Sequence, residues 1–421
     1  MQSGAAAAAG VAVSAALNTA RAAEQEDKAL PAAFDSLKPL GDRVKPITTE
    51  EYKSRFEKAQ KLLSESKAKN SVLMVTPTPS LYYFTGINWW PSERILALLI
   101  PASGEPLMVC PGFEEGRLRE QLKWKMEVRV WQEDESPYEV AAKWLAERPT
   151  GVSSVTVEQE TPYIFFDGLR KAYPRAEYSL GNAITVGCRA QKSEAELELM
   201  RLACAATFDV YKAVFPSIRE GMKQSEVGDL VTRGFAKMNL PGDALVLFGK
   251  GAALPHGTRE DLAVREGDGI LIDGGTVLEG YHSDITRTSC LGKAPDKLKR
   301  AFELARKAQN AALAACTPGH ACGSVDDAAR AEIVKGGFGP GYKYMGHRLG
   351  HGIGLEEHED PYLVRRNPVI LAERMTFSNE PGIYVPGEYG LRCEDDMAVS
   401  TEGPAKLLTP YFAVSLEEPF K

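Results

Sequence analysis

The stretch HRLGHGIGLEEH, residues 347–358, carries the strongest indication of how this chain folds and what it does. It contains three of the six histidines in the sequence, His347, His351 and His358, with glycine at positions 350, 352 and 354. The first two histidines are four residues apart, as on one helix face, but glycine at this density disfavours a regular helix. Arg348 also stands where a helical His-Glu-x-x-His zinc site needs Glu. We therefore expect a non-helical segment whose backbone approaches a metal ion or a substrate closely; the alternative is a solvated loop without function.

Four carboxylates in the C-terminal half accompany these histidines. Asp273 ends the apolar run 270–272, and Asp284 follows in GYHSDITRT, residues 280–288. Glu380 lies in FSNEPG and Glu394 in LRCEDD, each beside strand-like sequence. A lone carboxylate at such a place is more often a cap or a turn residue. Several of them beside apolar strands must be solvated, paired or metal-bound, and together they indicate metal ligands.

The charge of this set predicts the number of metal ions. Asp273, Asp284, Glu380 and Glu394 with a neutral His351 carry a charge of −4, which two divalent cations neutralise. Oxygen-rich ligands with one imidazole suit Mn²⁺, Co²⁺ or Zn²⁺, of which Mn²⁺ is the expected metal, and the absence of thiolate disfavours a structural zinc site. Two adjacent cations lower the pKa of a shared water and polarise a carbonyl, so the expected reaction is hydrolysis.

The same segments resemble the pita-bread metallopeptidase family, which comprises methionine aminopeptidases, Xaa-Pro aminopeptidases and prolidases. The resemblance covers residues 189–396 and is carried by LPHG (254–257), DGGTVLEGYHSDITRT (273–288), GHGIGLEEHEDP (350–361), NEPGIYV (379–385) and RCEDD (392–396). It implies that Asp273 holds one metal ion, that Asp284 and Glu394 bridge both, and that His351 and Glu380 hold the second.

The resemblance also implies roles around the metal ions. His256 and His358 match the family's substrate-side histidines, which position the scissile carbonyl and stabilise charge in the tetrahedral intermediate. Glu380 matches the carboxylate that handles the proton of the attacking water. His347 fits a place behind the ligands or in the substrate pocket more weakly, while His282 and His320 match no catalytic position and are interpreted as structural.

The length of 421 residues indicates two domains, and the predicted fold class is α/β (α+β). Residues 49–185 alternate helices and strands and resemble the creatinase-like N-terminal domain, and residues 186–421 would form the pita-bread catalytic domain. Residues 1–48 would be an Ala-rich export signal and lead-in, because 20–22 fit an A-x-A cleavage site. The alternative for this segment is a disordered tail, so the predicted location is periplasmic or exported with a signal and cytoplasmic without one.

Local patterns predict the elements of both domains. The predicted helices are 49–67, 138–148, 193–218, 225–238, 296–315 and 325–334. The predicted strands are 71–75, the hairpin 94–101 with 106–111, then 154–158, 244–248, 269–272, 375–384 and 391–400. Trp89 and Trp90 are interpreted as core residues, with a loop that reaches the active site as the alternative.

The N-terminal domain is similar to that of prolidases and Xaa-Pro aminopeptidases, and the complete ligand set favours a metalloenzyme. The short spacing from Glu380 to Glu394 is similar to that of microbial prolidase-type dipeptidases, so the expected activity is that of an Xaa-Pro dipeptidase (prolidase). One departure weakens this. Many dipeptidases carry Arg directly after the Pro of HExP, where it binds the substrate's C-terminal carboxylate, and this chain has Tyr362 there. Either Arg365 or Arg366 binds the carboxylate instead, or selectivity for dipeptides is relaxed. Tyr362 itself is expected to lie in the substrate pocket. The alternatives are an Xaa-Pro aminopeptidase, a lyase acting on small zwitterions and a binding-only homologue.

Composition limits the partners. The net charge of −7 and pI near 5.6 disfavour binding of nucleic acid or an anionic membrane, and proline-containing di- or oligopeptides are the expected substrates. The seven scattered cysteines are expected to be buried free thiols. The resemblance further implies a homodimer or a higher homo-oligomer formed through the N-terminal domain.

Overall fold

A computed structural model describes residues 29–66, 70–149, 151–411, 413 and 415–420. The predicted export segment and the last residue of the predicted helix 49–67 lie outside these residues. No helix in the described part of the chain has the length and apolar character needed to cross a bilayer.

The N-terminal half is built on a mixed six-stranded sheet with the strand order β4-β3-β2-β1-β5-β6. Its strands are β1 (Ser71–Val75), β2 (Ala97–Pro101), β3 (Leu107–Pro111), β4 (Glu127–Trp131), β5 (Ser154–Val157) and β6 (Glu177–Leu180). The predicted hairpin is confirmed, since β2 and β3 pair antiparallel, whereas β3 with β4, β1 with β5 and β5 with β6 are parallel.

Helices cover both faces of this sheet. They are α1 (Thr49–Glu65), α2 (Pro79–Thr85), α3 (Glu115–Gln121), α4 (Pro137–Glu147), α5 (Tyr163–Ala172) and α6 (Asn182–Arg189). Along β1, Val72 and Met74 join one core cluster with residues of α4 and α5, and Leu73 and Val75 join another with residues of α1. This alternation follows from the two-residue period of a strand and gives a three-layer α/β domain.

The second half begins with the long helix α7 (Glu194–Val214). The predicted capping pattern at its start is confirmed, because Ser193 Oγ accepts from the Glu196 amide and the Glu196 carboxylate accepts from the Ser193 amide. Three further helices are α8 (Gln224–Lys237), α9 (Asp296–Ala315) and α10 (Cys322–Lys335). The strands are β7 (Gly242–Phe248), β8 (Gly269–Leu278), β9 (Tyr281–His282), β10 (Ile285–Cys290), β11 (Gly350–Gly352), β12 (Glu359–Leu363), β13 (Thr376–Asn379), β14 (Gly382–Val385), β15 (Tyr389–Arg392), β16 (Asp395–Ala398) and β17 (Lys406–Leu407).

These strands form three groups. An antiparallel sheet has the order β10-β8-β7, a second has the order β12-β11-β13-β16-β17, and β14 pairs with β15. The predicted continuous strands 375–384 and 391–400 are wrong. Each is interrupted, because the chain leaves the five-stranded sheet for the β14–β15 hairpin at residues 380–381 and returns to that sheet at residues 393–394. Both interruptions coincide with a predicted metal ligand.

The two halves share a continuous core. One apolar cluster includes Leu73 of β1 and Phe56 of α1 together with Met200 of α7 and Ile272 of β8. A separate cluster joins α9 and α10 to the five-stranded sheet. Because this apolar cluster contains residues from both halves, it does not mark a boundary between them. The predicted domain limits at 48/49 and 185/186 stay a prediction.

Two side-chain expectations have different outcomes. The seven cysteines are free thiols, six of them buried and Cys290 half-buried, as expected. The tryptophan pair behaves differently, because Trp89 is buried under the guanidinium of Arg117 whereas Trp90 is 80% exposed. The core interpretation is therefore wrong for Trp90.

Candidate metal centre and substrate pocket

Asp273 and Asp284 come together because β8 and β10 are adjacent. Asp273 lies within β8 directly opposite Thr286, and Asp284 immediately precedes β10. The amide of Asp284 donates to Oδ2 of the buried Asp396 at 2.9 Å. The pairing of β8 with β10 thus fixes the backbone positions of Asp273 and Asp284.

Glu380 and Glu394 lie at the two interruptions of the closing strands. Ser378 Oγ donates to Glu380 Oε1 at 3.2 Å, and the Glu394 amide donates to the carbonyl of Thr286 at 3.3 Å. Because neither glutamate belongs to a ladder, each side chain leaves the sheet at the bend and reaches the same pocket as Asp273 and Asp284. The bends thus bring residues from two sheets to one point.

His351 belongs to strand β11, so the segment is not helical, as expected. Its side chain is buried, with 2% exposed. Its Nδ1 lies 3.1 Å from the carbonyl of Gly352, which directs Nε2 toward the carboxylates. Nε2 is 3.5 Å from Asp284 Oδ2 and 3.4 Å from Glu380 Oε1.

The potential donor atoms form overlapping triads within 4.8 Å of one another. One triad contains Asp273, Asp284 and Glu394, and another contains His351, Glu380 and Glu394. Glu394 belongs to both, as expected of a bridging ligand. A third triad adds His358 to Asp284 and His351, so proximity alone also admits His358 as a ligand.

Two glycines of this segment lie close to neighbouring backbone. A Cβ on Gly350 would lie 2.1 Å from the carbonyl oxygen of Ser378, and one on Gly352 would lie 2.4 Å from that of Glu359. Both positions therefore need glycine for the close approach of neighbouring backbones, and the expected approach to a metal ion or a substrate stays a prediction.

Thr286 and Arg392 connect the ligand-type carboxylates, and neither was predicted from the sequence to have this role. Thr286 Oγ1 lies 2.6 Å from both Asp273 Oδ1 and Glu394 Oε2 and accepts from Arg392 Nε at 3.1 Å. Arg392 also forms a salt bridge to Asp273 and donates to the hydroxyl of Tyr384 at 2.7 Å. Each lies two residues from a ligand along its strand, Thr286 from Asp284 and Arg392 from Glu394, and this spacing was the available signal.

Burial and mutual repulsion govern the protonation of the cluster. Burial, then neighbouring carboxylates, raises the pKa values of Asp284 and Glu394 well above their usual range. Burial raises the pKa of Glu380 to about 7 although His351 and Arg392 oppose it. Burial acts in the same direction on Asp273, but Arg392 and Thr286 hold the pKa of this carboxyl below its usual value.

This arrangement suits two divalent cations. Buried carboxylates whose pKa values are raised by burial and by each other are groups that a cation would hold in the ionised form and bind. The oxygen-rich set with one imidazole is the donor chemistry of Mn²⁺, Co²⁺ or Zn²⁺. The residues therefore fit a two-metal site.

The predicted substrate-side histidines line the same cavity, which has a volume of about 420 Å³. The His358 ring is tilted against that of His351 with the centroids 3.8 Å apart. Burial and then His351 lower the pKa of His358 to about 4, so its imidazole is neutral near pH 7. His256 is exposed at the cavity wall.

His347 lines the same cavity as the ligand-type side chains. Its Nε2 is 2.9 Å from the hydroxyl of Tyr384, and its Nδ1 is 3.7 Å from Glu380 Oε2. Burial, then Arg392, lowers its pKa to about 4. His282 and His320 do not line the main cavity.

Tyr362 does not line the main cavity either. It borders a smaller adjoining cavity together with His358 and Arg189, and its ring packs against Arg348. The predicted direct role of Tyr362 in the substrate pocket therefore changes to a contact with a residue of that pocket.

Two family models together match most of the chain. The model of metallopeptidase family M24 matches residues 198–401, and that of the creatinase/prolidase N-terminal domain matches residues 55–191. The Xaa-Pro dipeptidase of Lactobacillus helveticus is 32% identical over 356 residues, which cover 83% of this chain and 95% of that protein.

Solved structures show the same two-part fold. Dipeptidase PepE from Mycobacterium ulcerans superposes with a TM-score of 0.80 at 31% identity, over 87% of this chain and 98% of that one. The prolidase from Pyrococcus horikoshii OT3 superposes with a TM-score of 0.73 at 29% identity, over 85% of this chain and 98% of that one. The similarity therefore extends over both halves of the chain.

Proposed function

This chain belongs to metallopeptidase family M24, with a creatinase/prolidase N-terminal domain before its catalytic domain, and we propose that it is a two-metal Xaa-Pro dipeptidase. The membership confirms the resemblance and the α/β architecture expected from the sequence, and the chain is a peptidase. The named relatives are dipeptidases and a prolidase, which disfavours the lyase and binding-only alternatives.

The convergence of the five ligand-type side chains on one cavity carries the proposal. Asp273, Asp284, His351, Glu380 and Glu394 all line it. Its volume of about 420 Å³ lies in the lower part of the range of small-molecule sites, as a dipeptide requires. When bound, two divalent cations would lower the pKa of a water molecule and polarise the scissile carbonyl. Mn²⁺ is the proposed metal.

The remaining groups have defined tasks in the hydrolysis. Glu380 takes a proton from water as the water oxygen forms a bond to the carbonyl carbon. The same proton then passes to the proline nitrogen as the C–N bond breaks. His256 and His358 donate hydrogen bonds to the carbonyl oxygen, where negative charge develops. Neutral His358 is suited to this, since one ring nitrogen carries a proton near pH 7.

Arg392 and Thr286 act on the ligands. Arg392 adds a charge of +1 that the count from the sequence omitted, because four carboxylates with Arg392 carry −3 rather than −4. Two divalent cations then leave the site at +1, which favours an anionic transition state over a neutral ground state.

The test is hydrolysis of Gly-Pro and Gly-Pro-Pro by the full chain loaded with Mn²⁺, with a chelator-treated sample and Asp284→Asn as controls. We expect cleavage of Gly-Pro only, loss of activity on chelation and recovery on adding Mn²⁺. Cleavage of Gly-Pro-Pro would instead support the Xaa-Pro aminopeptidase alternative. Cleavage of neither peptide by the metal-loaded protein would contradict the proposal.

The aminopeptidase alternative is retained because of one observation. Tyr362 occupies the position after HExP where an Arg would bind the carboxylate of a dipeptide. A pocket without such a cation would accept longer chains as readily as dipeptides. The choice between the two activities therefore depends on whether another cation faces the substrate.

A further inference from the structure

Two arginines, Arg348 and Arg392, line the reaction cavity, and they differ in how their charges are used. Arg392 is 3% exposed and pairs with Asp273, Glu394 and the Tyr384 hydroxyl. Arg348 is half-buried and forms no ion pair with a carboxylate among the residues that the structure describes. Its charge is therefore open to a ligand in the cavity.

Tyr362 holds the guanidinium of Arg348 in place. The Cζ atom of Arg348 lies 4.2 Å from the centroid of the Tyr362 ring. An aromatic ring against the flat face of a guanidinium restricts the side chain while leaving the N–H edge free. That edge is the part of the group that binds a carboxylate through two parallel hydrogen bonds.

The two arginines suggested by the sequence do not supply this charge. Arg365 Nε is bonded to Asp327 Oδ1 at 3.0 Å on the surface, and Arg366 is exposed on a turn with φ of +66°. Neither lines the reaction cavity. Arg348 lines the reaction cavity, although in the sequence it precedes His351 and does not follow the HExP motif.

The position of Arg348 relative to His358 determines which group of a bound substrate Arg348 would reach. Arg348 and His358 both line the reaction cavity, and the Tyr362 ring that packs against Arg348 borders the adjoining cavity together with His358. His358 is the proposed donor to the scissile carbonyl, and the C-terminal carboxylate of a dipeptide lies one residue beyond it, at most roughly 3.6 Å along the chain. A cation beside His358 is thus within reach of that carboxylate.

We propose that Arg348, oriented by the ring of Tyr362, binds the C-terminal carboxylate of the dipeptide and sets the preference for substrates with a free carboxylate. This proposal rests on the proposed dipeptidase function and identifies its substrate class. Tyr362 is a positioning residue in this arrangement, since it acts through Arg348.

The test compares Gly-Pro with Gly-Pro-amide, which lacks the negative charge, in the wild type and in Arg348→Gln, both loaded with Mn²⁺. A hydrogen-bonded charge pair corresponds to roughly 10- to 100-fold in kcat/KM. We expect Arg348→Gln to lose this factor on Gly-Pro while keeping its value on the amide. The loss should fall mainly on KM, and inhibition by free proline should weaken by a similar factor.

Two further variants separate positioning from folding. Arg365→Gln removes the same charge outside the cavity and should leave the ratio between the two substrates unchanged. Tyr362→Phe should keep the wild-type ratio, whereas Tyr362→Ala should shift it part of the way toward that of Arg348→Gln. The melting temperature of each variant shows whether it is folded.

The proposal is overturned if Arg348→Gln loses the same factor on Gly-Pro and on its amide, or loses nothing on either. These results differ from failure of the proposed function, in which the wild type itself cleaves neither substrate. The double variant Arg348→Gln with Tyr362→Arg provides an independent check, because an arginine at position 362 should restore part of the preference for Gly-Pro.

Discussion

Single residues in the pocket differ in how strongly they compete with a metal ion. Asp273 is held ionised by Arg392 and Thr286, whereas the carboxyls of Asp284, Glu380 and Glu394 have raised pKa values because of burial. In the metal-free protein the raised pKa values favour the protonated forms of these three groups, and a cation must displace those protons to bind. Binding is therefore coupled to pH through these residues.

This coupling predicts how the affinity for Mn²⁺ changes with pH. Because the pKa of Glu380 is about 7, this carboxyl is protonated below that pH in the metal-free protein and ionised above it. We expect Mn²⁺ affinity to fall as pH is lowered from 8 to 5.5 and proton release to accompany binding. Titration calorimetry in buffers of different ionisation enthalpy measures both. An affinity independent of pH over this range would contradict the prediction.

Thr286 provides the second prediction at this scale. Thr286→Val keeps the shape of a fully buried side chain but removes the hydroxyl that contacts Asp273 and Glu394. Loss of a group that orients metal ligands typically lowers metal affinity or activity by roughly 10- to 100-fold. Metal titration with a Gly-Pro assay gives the value.

Thr288 is the matched control for Thr286. It lies two residues further along β10 and donates to the carbonyl of Arg392 at 2.8 Å, away from the ligand carboxylates. Thr288→Val should therefore retain most of the metal affinity. Equal losses in both variants would show that the effect belongs to the strand rather than to the ligands.

Among the elements, local pattern predicted those whose sequence repeats a simple period. Helix α9 (Asp296–Ala315) and strand β1 (Ser71–Val75) have the predicted limits, because their apolar spacing is a local property of the sequence. The interruptions at Glu380 and Glu394 were not predictable in this way. These interruptions depend on where β13 ends and β16 begins, on either side of the β14–β15 hairpin. Strand partners distant in sequence set both positions.

The approach of β11 to β13 gives a prediction at the scale of elements. In Gly350→Ala the new Cβ would lie 2.1 Å from the backbone oxygen of Ser378, which cannot move without breaking the sheet. Overpacking of this kind costs about 1–3 kcal/mol in the free energy of unfolding. The neighbouring His351 should also lose its alignment, so metal affinity should fall in parallel.

Gly346→Ala is the control in the same segment, since its Cβ would meet only the Tyr342 oxygen at 3.8 Å. Its free energy of unfolding should change by less than about 1 kcal/mol. Urea unfolding of the two variants gives the comparison. If Gly350→Ala were as stable as Gly346→Ala, the packing explanation for the glycines would be wrong.

The whole molecule is joined near the pocket by a buried ionic group. Arg189, at the end of α6, forms salt bridges to Glu356 and Glu359, and Lys192 pairs with Glu359. Glu359 directly follows His358, so the connection between the two halves of the chain is one residue from the proposed substrate-binding side chain. Residues 170 positions apart form this pair, and no local pattern could predict it.

Removal of Arg189 should destabilise the whole molecule. Breaking a buried pair on one side costs up to about 3–5 kcal/mol, and Lys192 should reduce this by keeping a partner for Glu359. We expect Arg189→Met to lower the melting temperature clearly and to raise KM for Gly-Pro. Arg170→Met is the control, because Arg170 is 49% exposed in its pair with Asp167 and its removal should leave the melting temperature nearly unchanged. Similar melting temperatures for the two variants would contradict this.

Metal titration of the whole protein tests the central claim most directly. Mn²⁺ would be added stepwise to metal-free protein while the hydrolysis of Gly-Pro is followed. The five side chains at the pocket predict that activity rises from near zero and reaches its plateau at two equivalents per chain, and that Asp284→Asn stays inactive at every ratio. Full activity without metal, or a plateau at one equivalent, would contradict the two-metal account.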